Sequence, residues 1–171
     1  MTWTCTSSTS DPLDAAVADL AVTYGGHASV HVPPFFSQSQ QPHLLEAAAV
    51  DRVIGSSEAP LRGLDLDPPE ACAPLTAPLD PPIAGARRII FTSGSSGTPK
   101  GVLIGERQMA AALAGLEKAI APDSRDIHLS LLPMAQLLEQ VAGLYLPLLA
   151  GAEVHFCPEA LAALFGGPMA P

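Results

Sequence analysis

Positive charge is scarce in this chain. Eight Lys and Arg residues stand against 17 Asp and Glu over 171 residues, a net charge of −9, which argues against general attraction to nucleic acid or an anionic membrane. Any anion must be held locally. Cysteine is equally sparse: Cys5, Cys72 and Cys157 are widely separated and form no CxxC pair. That pattern argues against a disulfide framework or a zinc site and suggests reduced, cytoplasmic thiols. The stretch from Met1 to Ser10 has no basic residue and no long apolar run, so no secretory signal is read there and residues 1–10 are expected to be a flexible N-terminus.

A membrane-length apolar run is also missing. Leu131 to Ala152 comes nearest, yet it carries Pro133, Gln136, Glu139, Gln140 and Pro147, which suit a buried helix followed by a strand better than a span. None of the histidines, His27, His31, His43, His128 and His155, sits in an HxH or HxxxH pair supported by acids, and ordinary core or surface roles are expected for them. The acids between Asp11 and Asp80 read as solvated surface charge.

What the chain does have is apolar content, 48 % against 15 % charged, as expected of a buried α/β sheet. At this length it can form one domain that buries roughly 70 % of its unfolded surface. Asp11 as N-cap, Pro12 at the first helical position and Gly25-Gly26 as a stop predict a helix with Leu13, Val17, Leu20 and Tyr24 on one face. Val30-His31-Val32 reads as a strand, followed by a helix to Val50 and a strand at Arg52-Val53-Ile54. Ser37-Gln38-Ser39-Gln40 resembles a capping box, but a start at Ser37 would put Pro42 in the second turn, so a start at Ser39 is preferred. From Pro60 to Pro82 seven prolines and almost no periodicity predict a long irregular loop. Further on, Met109, Leu113, Leu116 and Ile120 recur at helical spacing, Ile127 to Leu131 reads as a strand, and a helix from about Ala135 to Ala150 leads to a strand at Ala152 to Cys157.

The run Phe91-Thr92-Ser93-Gly94-Ser95-Ser96-Gly97-Thr98-Pro99-Lys100-Gly101-Val102 carries the chemistry. Its glycines permit close backbone approach, its hydroxyls offer hydrogen bonds to anionic oxygens, and Lys100 brings a mobile positive charge. Arg87 to Phe91 before it and Gly101 to Ile104 after it read as strands, so it connects strand to strand. Arg87, Arg88 and Lys100 are the basic residues near the loop, with Arg107 a turn beyond. The spacing is not that of a nucleotide-hydrolase P-loop, because Pro99 precedes Lys100 and Gly101 follows it. Nor is it a hydrolase elbow, since Gly94 and Gly97 do not flank a single serine at two residues on each side. A flexible loop without a ligand is the bland alternative.

These twelve residues closely resemble the signature loop of the adenylate-forming superfamily, whose members include acyl- and aryl-CoA synthetases, peptide-synthetase adenylation domains and luciferases. The segment Leu132-Pro133-Met134-Ala135-Gln136-Leu137-Leu138-Glu139-Gln140, followed by Leu146 to Ala152, is similar to a second family segment. Ala18 to Ala21 and Val30 to Ser37 resemble its amino-terminal part, most of all in acyl-CoA synthetases. The resemblance covers about residues 12–157. It implies an α/β fold, a mostly parallel sheet with flanking helices, forming part of the family's large domain over residues 11–171. It also implies an ATP-dependent acid–thiol ligase that activates a carboxylic acid, a fatty acid by the nearest likeness, as acyl-AMP and passes it to coenzyme A.

By the same resemblance Thr92, Ser93, Gly94, Ser95, Ser96, Gly97, Thr98 and Lys100 would bind ATP, Thr92 would contact Mg2+, and Lys100 and Gln136 would serve catalysis. Two positions depart from the family pattern, which often has histidine where this chain has Glu106 and Gln136. Gln136 can equally cap its helix, and Glu139 is expected on an amphipathic helix. No counterpart of the adenine and magnesium motif, the ribose-binding aspartate or the carboxy-terminal catalytic lysine is found. The chain is therefore expected to be a fragment, weak in ATP binding and inactive alone. The alternatives are a non-catalytic nucleotide-binding module and half of a split protein that docks onto a carboxy-terminal chain.

Overall fold

The computed structural model describes residues 3–6, 11–33, 36–37, 40–48, 50–54, 87–92 and 99–157. The Pro-rich loop expected at 60–82 lies outside them. Helix α1 (Pro12–Tyr24) begins as its sequence dictates: Asp11 accepts a hydrogen bond from the Leu13 N–H at 2.8 Å, and Pro12 takes the first turn, where no partner for its nitrogen is needed. It ends as Gly25 N–H bonds the Ala21 carbonyl at 2.9 Å and Gly26 turns to φ 73°, a conformation that suits glycine. Its buried face differs from the expected stripe. Leu13 and Val17 are exposed, while Ala15, Ala16, Ala18, Asp19, Val22 and Thr23 turn inward.

Five strands, β1 (Trp3–Thr6), β2 (Ala28–His31), β3 (Val50–Ile54), β4 (Arg87–Thr92) and β5 (Lys100–Ile104), form one sheet in the order β3-β1-β2-β4-β5. All neighbours are parallel except the β4–β5 hairpin. Trp3–Thr6 lie in the stretch expected to be flexible, yet they pair on both sides with β2 and β3. Four residues of strand-favouring type suffice for an interior strand once two neighbours flank it. So short a run leaves no periodic signal.

Helix α2 (Gln40–Ala47) settles the conflict over its start. The Gln40 side-chain oxygen accepts from the Ser37 N–H at 2.9 Å, while the Gln40 and Gln41 N–H groups bond the Ser37 carbonyl at 2.9 and 3.1 Å. The Ser37–Gln40 cap forms, and the helix proper still starts at Gln40, which keeps Pro42 in the first turn.

The central parallel strands are packed on both faces, as such strands require, while β5 at the edge stays largely exposed. On one side Val30, Val32, Phe36, Leu44, Leu45, Ala48, Val53 and Phe91 form a core with α2. A second core joins Ala15 and Ala16 of α1, Met109 and Leu113 of α3 (Glu106–Ile120), and Met134, Val141, Leu144, Tyr145 and Leu146. The last four belong to a wide-turned π-helix, Glu139–Tyr145, and to α4 (Leu146–Ala150), which continues it and stops at Gly151, φ 72°. Strands β6 (Ile127–Ser130) and β7 (Glu153–Phe156) flank this helical run as a parallel pair. The helix expected from about Ala135 to Ala150 is thus present in extent, but not in its uniform α geometry.

Candidate functional site

The expected phosphate loop lies in sequence between the paired strands β4 and β5. Ser93, Gly94, Ser95, Ser96, Gly97 and Thr98 lie outside the described residues; Thr92, Pro99 and Lys100 fix where the loop leaves and rejoins the sheet. Thr92 pairs across the hairpin with Lys100, and its hydroxyl donates to the Lys100 carbonyl at 3.3 Å. Residues directly opposite in an antiparallel pair project to the same face. Both side chains are exposed, so a hydroxyl and an ammonium flank the loop base on one side of the sheet.

The opposite side of the hairpin is packed. Phe91 pairs with Gly101, and a Cβ at Gly101 would come within 3.0 Å of Ile89 and 3.2 Å of the Phe91 ring. Phe91 is buried in the core shared with α2. Glycine there admits the ring and anchors the hairpin.

Alternation along β4 places Arg88 on the face of Thr92, four residues and about 13 Å away along the strand. Arg88 was expected beside the loop as a basic residue; it is buried to 1 % exposure and serves the core instead. Its Nη1 donates to Asp19 Oδ1 at 2.6 Å, Gln140 Oε1 at 3.0 Å and Ser29 Oγ at 3.3 Å; its Nη2 donates to Thr23 Oγ1 at 3.0 Å and to the Tyr145 hydroxyl. Tyr145 donates in turn to Asp19 Oδ2 at 2.8 Å, and His31 Nε2 lies 2.7 Å from Asp19 Oδ1. Asp19, expected at the surface with the other acids, is wholly buried.

Electrostatics follows from this packing. Burial alone would raise the Asp19 carboxyl, but the Arg88 charge and the His31 ring beside it outweigh that and hold it well below the usual carboxylate range. Burial, reinforced by the Asp19 charge, pushes the Tyr145 phenol up, so it stays protonated and donates. The network joins α1, β2, β4 and the π-helix.

Gln136 closes the turn Pro133–Gln136, its N–H bonding the Pro133 carbonyl at 2.9 Å, and its own carbonyl accepts the Gln140 N–H at 3.1 Å. It is half-buried at the entrance to the helical run. Glu139, expected on an amphipathic face, is instead 5 % exposed; its Oε1 lies 3.9 Å from His128 Nε2 and makes no hydrogen bond among the described residues. No group of three or more His, Cys, Asp or Glu among the described residues could hold a metal.

Sequence reasoning did not find Asp19, His31, Arg88, Gln140 and Tyr145 as one cluster. Their contacts span up to 126 positions. The available signals were an acid among the alanines of α1 and an arginine inside a buried strand.

A family model described as AMP-binding enzyme matches residues 12–167. The chain is 40 % identical over 57 residues to long-chain-fatty-acid–CoA ligase 1 of Cavia porcellus, covering 31 % of this chain and 8 % of that protein. It is 28 % identical over 156 residues to chondramide synthase cmdD of Chondromyces crocatus, covering 84 % of this chain and 4 % of that one. A solved malonyl-CoA ligase, in a ternary product complex with methylmalonyl-CoA and AMP, superimposes with a TM-score of 0.76 at 25 % identity, covering 95 % of this chain and 37 % of that structure. This chain thus spans well under half the length of the relatives it matches. The matched sequence and the shared α/β architecture place it in the family of AMP-binding enzymes, the adenylate-forming superfamily, as part of the large domain.

Proposed function

We propose that this chain carries the triphosphate-gripping part of an ATP-dependent acid–thiol ligase. The observation that supports it is the β4–β5 hairpin, which sets Thr92 and Lys100 side by side at the base of a loop of glycines and hydroxyls. In the reaction a carboxylate oxygen attacks the α-phosphorus of ATP, the bond to the bridging oxygen breaks and pyrophosphate leaves with that electron pair. A thiol sulfur then displaces AMP from the acyl carbon and gives up its proton. Charge that grows on the pyrophosphate is what the Lys100 ammonium and the hydroxyls of Ser93, Ser95, Ser96 and Thr98 would neutralise.

A Mg2+ ion, when bound, supplies further neutralisation of the phosphates. Such ions ride on phosphates and water with one or two protein oxygens, and the exposed Thr92 hydroxyl fits one such position. Its bond to the Lys100 carbonyl, at 3.3 Å, is long and leaves its lone pairs free. Likeness to a long-chain-fatty-acid–CoA ligase supports a fatty acid and coenzyme A as the reactants, and likeness to a nonribosomal peptide synthetase keeps another carboxylic acid and a carrier thiol as the alternative. The scattered cysteines suit a cytoplasmic location, and among the described residues no helix is long and apolar enough to cross a membrane.

A second reading, that the chain docks onto a separate carboxy-terminal portion, is favoured by one observation. Ile127, Leu129 and Leu131 project from the β6 end to one side with exposures of 68, 49 and 37 %, and a two-stranded parallel sheet rarely stands with a bare face. Carboxylate-dependent exchange of pyrophosphate into ATP by the chain alone supports the ligase, and exchange only after a carboxy-terminal portion is added supports docking. ATP binding without exchange in either case leaves a binding module. Lys100→Ala is expected to weaken ATP or pyrophosphate binding about 10- to 100-fold, the worth of one charge-assisted contact. Unchanged affinity in calorimetry removes Lys100 from the role.

A further inference from the structure

Gln140 is fully buried, and its amide is used at both ends. Oε1 accepts from Arg88 Nη1 at 3.0 Å, and Nε2 donates to the Met134 carbonyl at 2.6 Å. The orientation follows from chemistry, since a guanidinium only donates and a backbone carbonyl only accepts. A leucine would fill much the same space. It would leave the Met134 carbonyl without this partner inside the core.

One end of this bridge is immobile. Arg88 is held by Asp19, Ser29, Thr23 and Tyr145 from one other strand and two helices, besides the stacking of its guanidinium 4.7 Å from the Tyr145 ring centre. The other end is the turn that carries Gln136, two residues beyond Met134. Arg88 shares its strand and its face with Thr92, at the foot of the loop. The bridge therefore links the two segments in which the family resemblance is strongest, although 52 positions separate Arg88 from Gln140.

We propose that Gln140 is a positioning residue: it ties the Met134–Gln136 turn to β4, the strand that ends at Thr92, and so fixes where Gln136 stands relative to that strand. The tie stands on geometry alone, and its meaning for adenylation rests on the ligase reading above. Gln140→Glu separates the two arms. A carboxylate keeps an acceptor for Arg88 but turns an oxygen, not a donor, toward the Met134 carbonyl.

Amide hydrogen exchange of the whole chain reads the result. With Gln140→Glu, the Gln136 N–H is expected to exchange about 3- to 10-fold faster, the worth of one hydrogen bond, while the β2–β4 ladder keeps its wild-type rates. Acceleration spread evenly over the chain, or none at the turn, overturns the proposal. Should the variant not fold, the unaltered protein decides: its Gln140 side-chain amide protons are expected to exchange slowly by NMR, and rapid exchange overturns the tie. Binding of ATP and of a decanoyl sulfamoyl-adenosine analogue reads the functional half. Gln140→Glu is expected to weaken the analogue at least about threefold more than ATP, as loss of one arm implies. Equal losses overturn the positioning role, whereas wild-type chain that binds neither compound, alone or with a carboxy-terminal portion added, refutes the ligase reading and leaves the exchange result to judge the tie.

Discussion

Asp19 and Arg88 show how much of this molecule depends on one buried pair. Each charge is out of water, and their mutual attraction is useful only while both are present. Asp19→Asn leaves a buried guanidinium facing a neutral amide and is expected to cost about 3–5 kcal/mol at pH 7. The pH dependence has a definite sign. The folded carboxyl titrates well below its ordinary value of 3.8, so as pH falls through that value the unfolded chain takes up a proton and the folded chain does not. The stability that Asp19 contributes is therefore full at neutral pH and is lost on acidification. The amide of the variant cannot titrate, so the gap between the two proteins is expected to narrow by about 1 kcal/mol from pH 7 to pH 3 in urea unfolding. A gap of constant size would refute the pairing. Neither residue was legible as a core group, because each looks like surface charge until the fold brings together positions 69 apart. The places of Thr92 and Lys100 at facing ends of two paired strands were legible because their setting is local.

Elements whose ends rest on neighbouring residues were read well, and those shaped by tertiary contact were not. The cap of α1, its glycine stop and the β4–β5 hairpin all follow from residues a few positions apart. The widening of the helix over Glu139–Tyr145 does not, since its apolar residues suit an α-helix equally well. Within that element Glu139 folds back over Gly143. A Cβ at Gly143 would overlap the carboxylate, 2.6 Å from its carbon, and that buried carboxylate already lies 3.9 Å from His128 of β6. Gly143→Ala is therefore expected to destabilise the chain by about 1–3 kcal/mol through overpacking. Adding Glu139→Ala should restore most of the loss, and thermal unfolding of the single and double variants checks this. A double variant no more stable than Gly143→Ala would mean that the glycine serves some other contact.

At the scale of the molecule, the sequence announced a mostly parallel α/β sheet but not its order. β1 occupies an interior place with only Trp3–Thr6 to mark it, and the chain passes from β2 to β3 across it. Charge scarcity has a consequence at this scale too. With so few charged side chains to screen it, the apolar face at Ile127, Leu129 and Leu131 stands open among the described residues, and such a patch binds other apolar surface. Ile127→Lys with Leu129→Lys is expected to lower binding of the dye ANS and self-association by light scattering. The unfolding free energy should shift by only about 0.5 kcal/mol, because exposed positions contribute little to it. A large loss of stability would show that the face is already covered from within the chain, and that docking is not needed to explain it.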